Sequence, residues 1–216
     1  MIPDVSLNGV SMLSLGWCRE SISFPPPAPQ SETVTVPGRN SPIRYYDALG
    51  RVSYEPREFE ILLTMLGSRA EFNALVSETV NPFLGQLVEV ICNEESDLYV
   101  VGTVSASTSY DPLTGRGELE FSCSDADSYR YHVDETVVEI TGSGTVELEN
   151  DYMPVVPTVV TTDETVLAWT MDDESYQTTL SAGTWEIPEL ELQAGTNSIS
   201  ISGEGTTTFT YREGRL

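Results

Sequence analysis

The groups that could do chemistry are few and scattered. His132 is the only histidine among 216 residues, so no histidine cluster can hold zinc. Cys18, Cys92 and Cys123 are odd in number and far apart, which makes neither a disulfide framework nor a zinc pattern. They read as reduced, partly buried small apolar residues. Glu94-Glu95-Ser96-Asp97 and Asp172-Asp173-Glu174 lack the spacing of a calcium loop and read as solvated turns. The Gly-x-Gly pairs at 142–144 and 203–205 sit in β turns, with no helix following to cradle phosphate. No nucleophile elbow, phosphate-binding loop or zinc-protease helix occurs. Carboxylate pairs of the glycosidase kind are set by distance in space, and nothing points to one. The chain is read as no enzyme and as needing no cofactor or metal.

Two other groupings have chemistry of recognition. Trp169, Tyr176 and Trp185 offer faces for stacking on sugars, and equally the apolar area of a core. Arg39, Arg44, Arg51 and Arg57 are four of the ten basic residues, gathered within about twenty positions beside Tyr45, Tyr46 and Tyr54. A guanidinium fork binds a carboxylate through two hydrogen bonds, and 34 acidic residues supply many such partners. Tyrosines add contact area with little entropy to lose. This is the chemistry of a protein interface.

The elements that carry this arm begin with a β-type run, Thr33-Val34-Thr35-Val36. It stops at Pro37-Gly38, which meets the needs of a type II turn. A segment poor in helix formers follows to Gly50 and returns into a strand at Val52 to Arg57. The stretch fits an arm reaching toward a neighbour, and it also fits an ordinary surface loop.

Thr, Ser, Val, Gly and Pro are abundant, which favours strands and turns. All ten basic residues are arginine, and the net charge is −24. A surface so acidic repels DNA, whose binding relies on Lys and Arg neutralising phosphates. No run of apolar residues is long enough to span a membrane. The N-terminus shows no basic region followed by an apolar core, so no secretion signal is expected.

In chain order, Asn8-Gly9 predicts a hairpin. Met12 to Leu15 and Ser21 to Phe24 read as short strands, and Pro25 to Pro29 as a stiff connector. Arg57 to Leu66 alternates, with Phe59, Ile61, Leu63 and Met65 on one face. Ser68-Arg69-Ala70-Glu71 fits a capping box that opens the one convincing helix, which Pro82 and Gly85 stop. Strands resume over Leu87 to Cys92, Leu98 to Val104 and Glu118 to Ser124. After about Tyr131, short strands recur between Gly, Asp and Pro: 136–140, 145–148, 155–161, 166–171, 176–180, 184–187, 198–202 and 207–211. They predict a β-sandwich. The expected division is 1–130 and 131–216. The first part holds eight of the ten arginines, and the second holds 16 acidic residues against two arginines.

These features, in order, resemble the distal tail protein (Dit) family of long-tailed, non-contractile phages (siphoviruses) and related prophages. Glu32 to Asn40 is similar to the family's stretch ending in V-P-G-R-[DN]. Tyr54-Glu55-Pro56-Arg57 occupies the place of its aromatic-x-x-Arg segment. Leu98 to Val104 resembles its Y-Y-x-G-[RK]-V hairpin. Ser122 to Tyr129 resembles its closing F-x-C-x-D-P-Y, with Asp-Ala-Asp-Ser-Tyr in place of Asp-Pro-Tyr. The resemblance covers nearly the whole chain, and the order of the motifs is its specific part.

The resemblance implies a mainly β protein. Residues 1–130 would form an N-terminal sandwich or split-barrel ring domain with one helix, and 131–216 a galectin-like or carbohydrate-module-like sandwich outside the ring. It implies a homohexamer at the tail tip, hence a virion protein made in the host cytoplasm. It would join tail tube, tape measure, and a tail-associated hub or receptor-binding protein, with an acidic channel for DNA. A free carbohydrate-binding module acting on host cell-surface sugars is the other reading. The expected subunit interface is Val36, Pro37, Gly38, Arg39, Arg44, Tyr45, Tyr46, Arg51, Tyr54 and Arg57. Changing Arg39 and Arg57 together to Glu is expected to abolish assembly and leave each subunit folded.

Overall fold

The computed structural model describes residues 2–30, 33–35, 37–41, 43–44, 52–171 and 173–216. The chain divides into two compact units, Met1–Arg130 and Tyr131–Leu216.

The first unit opens with β1 (Val5–Leu7) and β2 (Val10–Ser11), paired antiparallel. Asn8 and Gly9 between them have φ of 49° and 77°, the pair of positive values that a two-residue hairpin turn demands. Met12–Leu15 is a helical turn, α1, and not the expected strand. Its N–H groups are satisfied from outside the segment. Ser11 Oγ accepts from the Ser14 N–H at 3.1 Å, and the Asp4 carboxylate accepts from the Leu13 N–H at 3.0 Å and the Ser11 hydroxyl at 2.6 Å. Gly16, at φ 109°, ends the turn.

Then come β3 (Cys18–Ser23), the short β4 (Thr33–Val34) and β5 (Ile43–Arg44), and the ten-residue β6 (Arg57–Leu66). The helix α2 (Arg69–Val80) has the expected capping box: Ser68 Oγ accepts from the Glu71 N–H, and Glu71 Oε2 accepts from the Ser68 N–H at 2.8 Å. Those bonds hold the Glu71 carboxyl below its usual range. β7 (Leu87–Cys92), β8 (Leu98–Thr103), β9 (Ser105–Asp111) and β10 (Arg116–Ala126) complete the unit. Its strands run in the orders β2-β1-β7-β8 and β3-β6-β10-β9.

Phe59, Ile61, Leu63, Leu119 and Phe121 from one sheet and Val5, Leu7, Val88, Val90 and Val100 from the other form one core. α2 adds Phe72, which sits where Gly117 has no side chain, and Thr79, whose Oγ1 accepts from Trp17 Nε1 at 2.8 Å.

β11 (Arg130–His132) begins at the end of the first unit. The second unit is a sandwich of two four-stranded antiparallel sheets. One has the order β12 (Thr136–Thr141), β19 (Thr206–Tyr211), β14 (Thr158–Thr161), β17 (Gly183–Glu186). The other is β13 (Gly144–Asn150), β18 (Gly195–Gly203), β15 (Thr165–Met171), β16 (Glu174–Leu180). Leu148, Val159, Leu167, Ile199 and Phe209 fill the space between them. β14 is shorter than expected, because Val155 makes a single bridge to Leu192. β20 (Gly214–Arg215) closes the chain, and the Glu213 carbonyl accepts from the His132 N–H at 2.9 Å.

Candidate assembly arm and a polar cleft

The arm is a hairpin: Thr33 pairs with Arg44 and Val34 with Ile43. Gly38 has φ 85°, as the third residue of a type II turn requires. Pro37, Gly38, Arg39 and Asn40 are exposed. Among the described residues, β4 and β5 form a two-stranded sheet of their own. Val36, Tyr45, Tyr46 and Arg51 lie outside the described residues.

Two residues assigned to the interface belong to their own unit. Tyr54 is half-buried, bridges to Pro29 and meets Tyr129 edge-on at 5.9 Å. Arg57 requires a correction: only 2% of it is exposed. Its Nη1 donates to the carbonyls of Phe24 at 3.3 Å and Pro25 at 3.0 Å. Its Nε and Nη2 donate to the Ser128 carbonyl at 3.3 and 3.2 Å. Burial, with a smaller effect from the nearby Arg130 charge, lowers its pKa. The guanidinium ties the end of β3 to the closing segment after β10. A signal was available, because Arg57 stands two residues before Phe59 on the inward face of β6. Changing it to Glu would place a carboxylate against carbonyl oxygens, so the double substitution tests folding rather than assembly.

The three candidate stacking residues do not converge. Trp185 lies on β17 in one sheet, partly exposed, with its indole N–H donated to the Ser181 carbonyl at 2.9 Å. Trp169 and Tyr176 are direct cross-strand partners on β15 and β16 of the other sheet. Their rings stack at 5.6 Å with 11° between planes. Trp169 is almost wholly buried and donates its indole N–H to the Glu189 carbonyl at 3.0 Å. The pair forms part of the wall of a cleft of about 730 Å³, with Met171, Ser175, Gln193 and Asn197 also lining it. Asn197 fixes one rim: its Oδ1 accepts from the Gln193 N–H at 2.9 Å, and its Nδ2 donates to the Gln193 carbonyl at 2.8 Å. Such a cleft offers the Tyr176 ring, several amides and hydroxyls, and the Glu191 carboxylate.

Against known proteins, no family model matches the chain and no curated protein does. Among solved structures it is similar to the crystal structure of SPP1 Dit (gp 19.1), described as a paradigm of the hub adsorption apparatus in phages that infect Gram-positive bacteria. The match covers 100% of both chains with a TM-score of 0.68, at 13% sequence identity. The chain has the Dit fold. The likeness takes in both units, so the mainly β architecture read from the motifs holds along the whole chain.

Within this Dit fold the remaining reactive groups are the three cysteines and His132. Cys123 is buried, and its thiol is pushed up to about 11 by that burial. Cys92 is buried between Arg19, which donates to its sulfur, and Glu94, which accepts from it; its pKa is also raised, chiefly by burial. Cys18 is exposed, against expectation, because it lies on β3 at the edge of its sheet. His132 meets Asp151 at 3.1 Å. Among the described residues, no three His, Cys, Asp or Glu side chains are grouped to hold a metal, and no helix is long and apolar enough to cross a membrane.

Proposed function

We propose that this chain is a structural hub of a phage tail tip. The observation that carries the reading is the full-length likeness to a phage hub protein, in which both units take part. In this reading residues 1–130 build a six-membered ring through the arm, and residues 131–216 form a sandwich on its outside. The ring joins the tail tube and tape measure protein on one side to a tail-associated hub or receptor-binding protein on the other, in the virion. Six copies of a chain carrying −24 would give a channel that repels DNA and lets it pass without sticking. The role is one of assembly, with no catalysis. Mass measurement by light scattering, with electron microscopy of the chain alone and mixed with native tail tips, tests it. The expected species is six times the 23.7 kDa chain. A monomer under both conditions would overturn the reading.

A second reading has its own observation, the cleft beside the Trp169–Tyr176 stack. The sandwich would there hold a neutral sugar of the host surface, with the Tyr176 ring as platform and Asn197 bracing the rim through its bonds to Gln193. An aromatic contact of this kind contributes ~1 kcal/mol, so Tyr176→Ala is expected to weaken binding by about five- to tenfold. Trp185→Ala, on the opposite sheet, is expected to leave it unchanged. Titration of the full chain with cell-wall glycan fragments reads both, and absence of binding by the unaltered chain removes this reading while leaving the hub untouched.

A further inference from the structure

The cleft of the second unit carries a charge as well as an aromatic platform. Among the described residues its lining holds one carboxylate, Glu191, and no arginine, and the chain has no lysine. Glu191 is half-buried, and its Oε2 accepts from Gln193 Nε2 at 3.2 Å. Two further carboxylates are bonded to groups of the wall. The Tyr176 hydroxyl donates to Glu174 Oε2 at 3.0 Å, and Thr196 Oγ1 donates to Glu149 Oε1 at 2.8 Å. The two arginines of residues 131–216 are held elsewhere. Arg212 donates to the His132 carbonyl at 2.7 Å and to Glu135 Oε1 at 3.1 Å, and Arg215 Nε lies 3.9 Å from Asp151 Oδ2. His132, Glu135 and Asp151 do not line the cleft.

These groups discriminate between sugars. A neutral sugar can use the ring, the amides and the hydroxyls. A protonated amine does more: it has three hydrogens to donate, and an ammonium is attracted both to a carboxylate and to the face of a tyrosine. A carboxylate can accept about four hydrogen bonds, so the Gln193 amide does not prevent Glu191 from taking a further donor. Partial burial matters as well, because a half-buried charge is screened less by salt than an exposed one. The same carboxylates work against a sugar acid or a phosphorylated sugar, since like charges brought together repel.

We propose that the cleft prefers a sugar carrying a free, protonated amine over its neutral counterpart, with the Tyr176 ring under the sugar and the Glu191 carboxylate accepting from the ammonium. The inference rests on the sugar reading of the cleft and names the substituent that it selects.

Titration of the full chain with two probes tests it, followed by calorimetry or NMR. The probes are the disaccharides of glucosamine and of N-acetylglucosamine, which share ring and linkage and differ in the charge on nitrogen. The pH keeps the amine protonated, and physiological salt screens attraction to the rest of the acidic surface. The glucosamine disaccharide is expected to bind about five- to tenfold more tightly. Glu191→Gln keeps the size of the side chain and an acceptor for Gln193. It is expected to erase the preference and to leave the affinity for the N-acetylated probe unchanged. Glu139→Gln removes the same charge from β12 in the other sheet and is expected to leave the preference intact. Equal binding of the two probes, or tighter binding of the N-acetylated one, would overturn the inference and spare the sugar reading. A preference that survives Glu191→Gln, or that falls equally with Glu139→Gln, would also overturn it. Binding of neither probe removes the sugar reading and the preference with it.

Discussion

Arg57→Met is expected to lower the thermal midpoint of the first unit by about 10 °C, as followed by calorimetry or circular dichroism. The guanidinium is buried and donates to three carbonyls, those of Phe24, Pro25 and Ser128. Methionine fills much of the space but donates nothing. Each hydrogen bond lost from a charged group costs ~1.5–3 kcal/mol, less where water can reach the carbonyl left behind. Relief of the cation's own desolvation works the other way. A net loss of ~3 kcal/mol is the balance of these, and in a unit of this size each kcal/mol moves the midpoint by several degrees. Arg57→Lys is expected to recover little, because one ammonium cannot serve the β3 end and the closing segment together. A midpoint unchanged within about 2 °C would show that the bridge contributes nothing. Assembly is then tested cleanly by Arg39→Glu alone, since Arg39 is exposed and its loss disturbs no core.

Gly117→Val is expected to cost ~3 kcal/mol or more by chemical denaturation, through α2. A β-carbon at residue 117 would fall 2.2 Å from Phe72 Cδ2 and 2.6 Å from Cε2. Phe72 has little room to yield. It meets Trp17 edge-on at 6.2 Å and lies against Tyr110 at 5.3 Å. The helix must therefore lift, which also strains the buried Trp17–Thr79 hydrogen bond. Phe72→Ala in the Gly117→Val background should cost less than the same change in the unaltered protein, because the clash goes with the ring. Strict additivity of the two would place the damage elsewhere.

Much of the fold was legible because its signals are local. Ser68 and Glu71 are three residues apart and cap each other, so the start of α2 could be read from four letters. Asn8-Gly9 announced its hairpin in the same way. Misreadings arose where the deciding partner is distant. Met-Leu-Ser-Leu becomes a helical turn through the Asp4 carboxylate and a cap at Ser11. Ser105–Asp111 was not read as a strand, because an edge strand with both faces half wet shows no alternation of apolar residues. Arg57 passed for an interface residue because the three carbonyls that bind it lie 32 to 71 positions away. In the cleft the sequence offered three aromatics. Only the pairing of β15 with β16 brings two of them face to face, while Trp185 goes to the other sheet.

The strand order of the second unit bears on when it can form. β18 and β19 are the last long strands to leave the ribosome, and each is an interior strand of its sheet. β12 and β14 meet only through β19, and β13 and β15 only through β18. A nascent chain halted before residue 195 therefore has no way to close either sheet, however much of the unit it already contains. Its long-range pairings become available together, at the end, when β18 and β19, each in its own sheet, enter between strands made from 30 (Trp169↔Ile199) to 75 (Thr136↔Tyr211) residues earlier. Such pairing over long separations is slow. Until then the apolar faces stay open to other chains, and rapid translation at high copy number is the condition under which this unit is most exposed to misassembly.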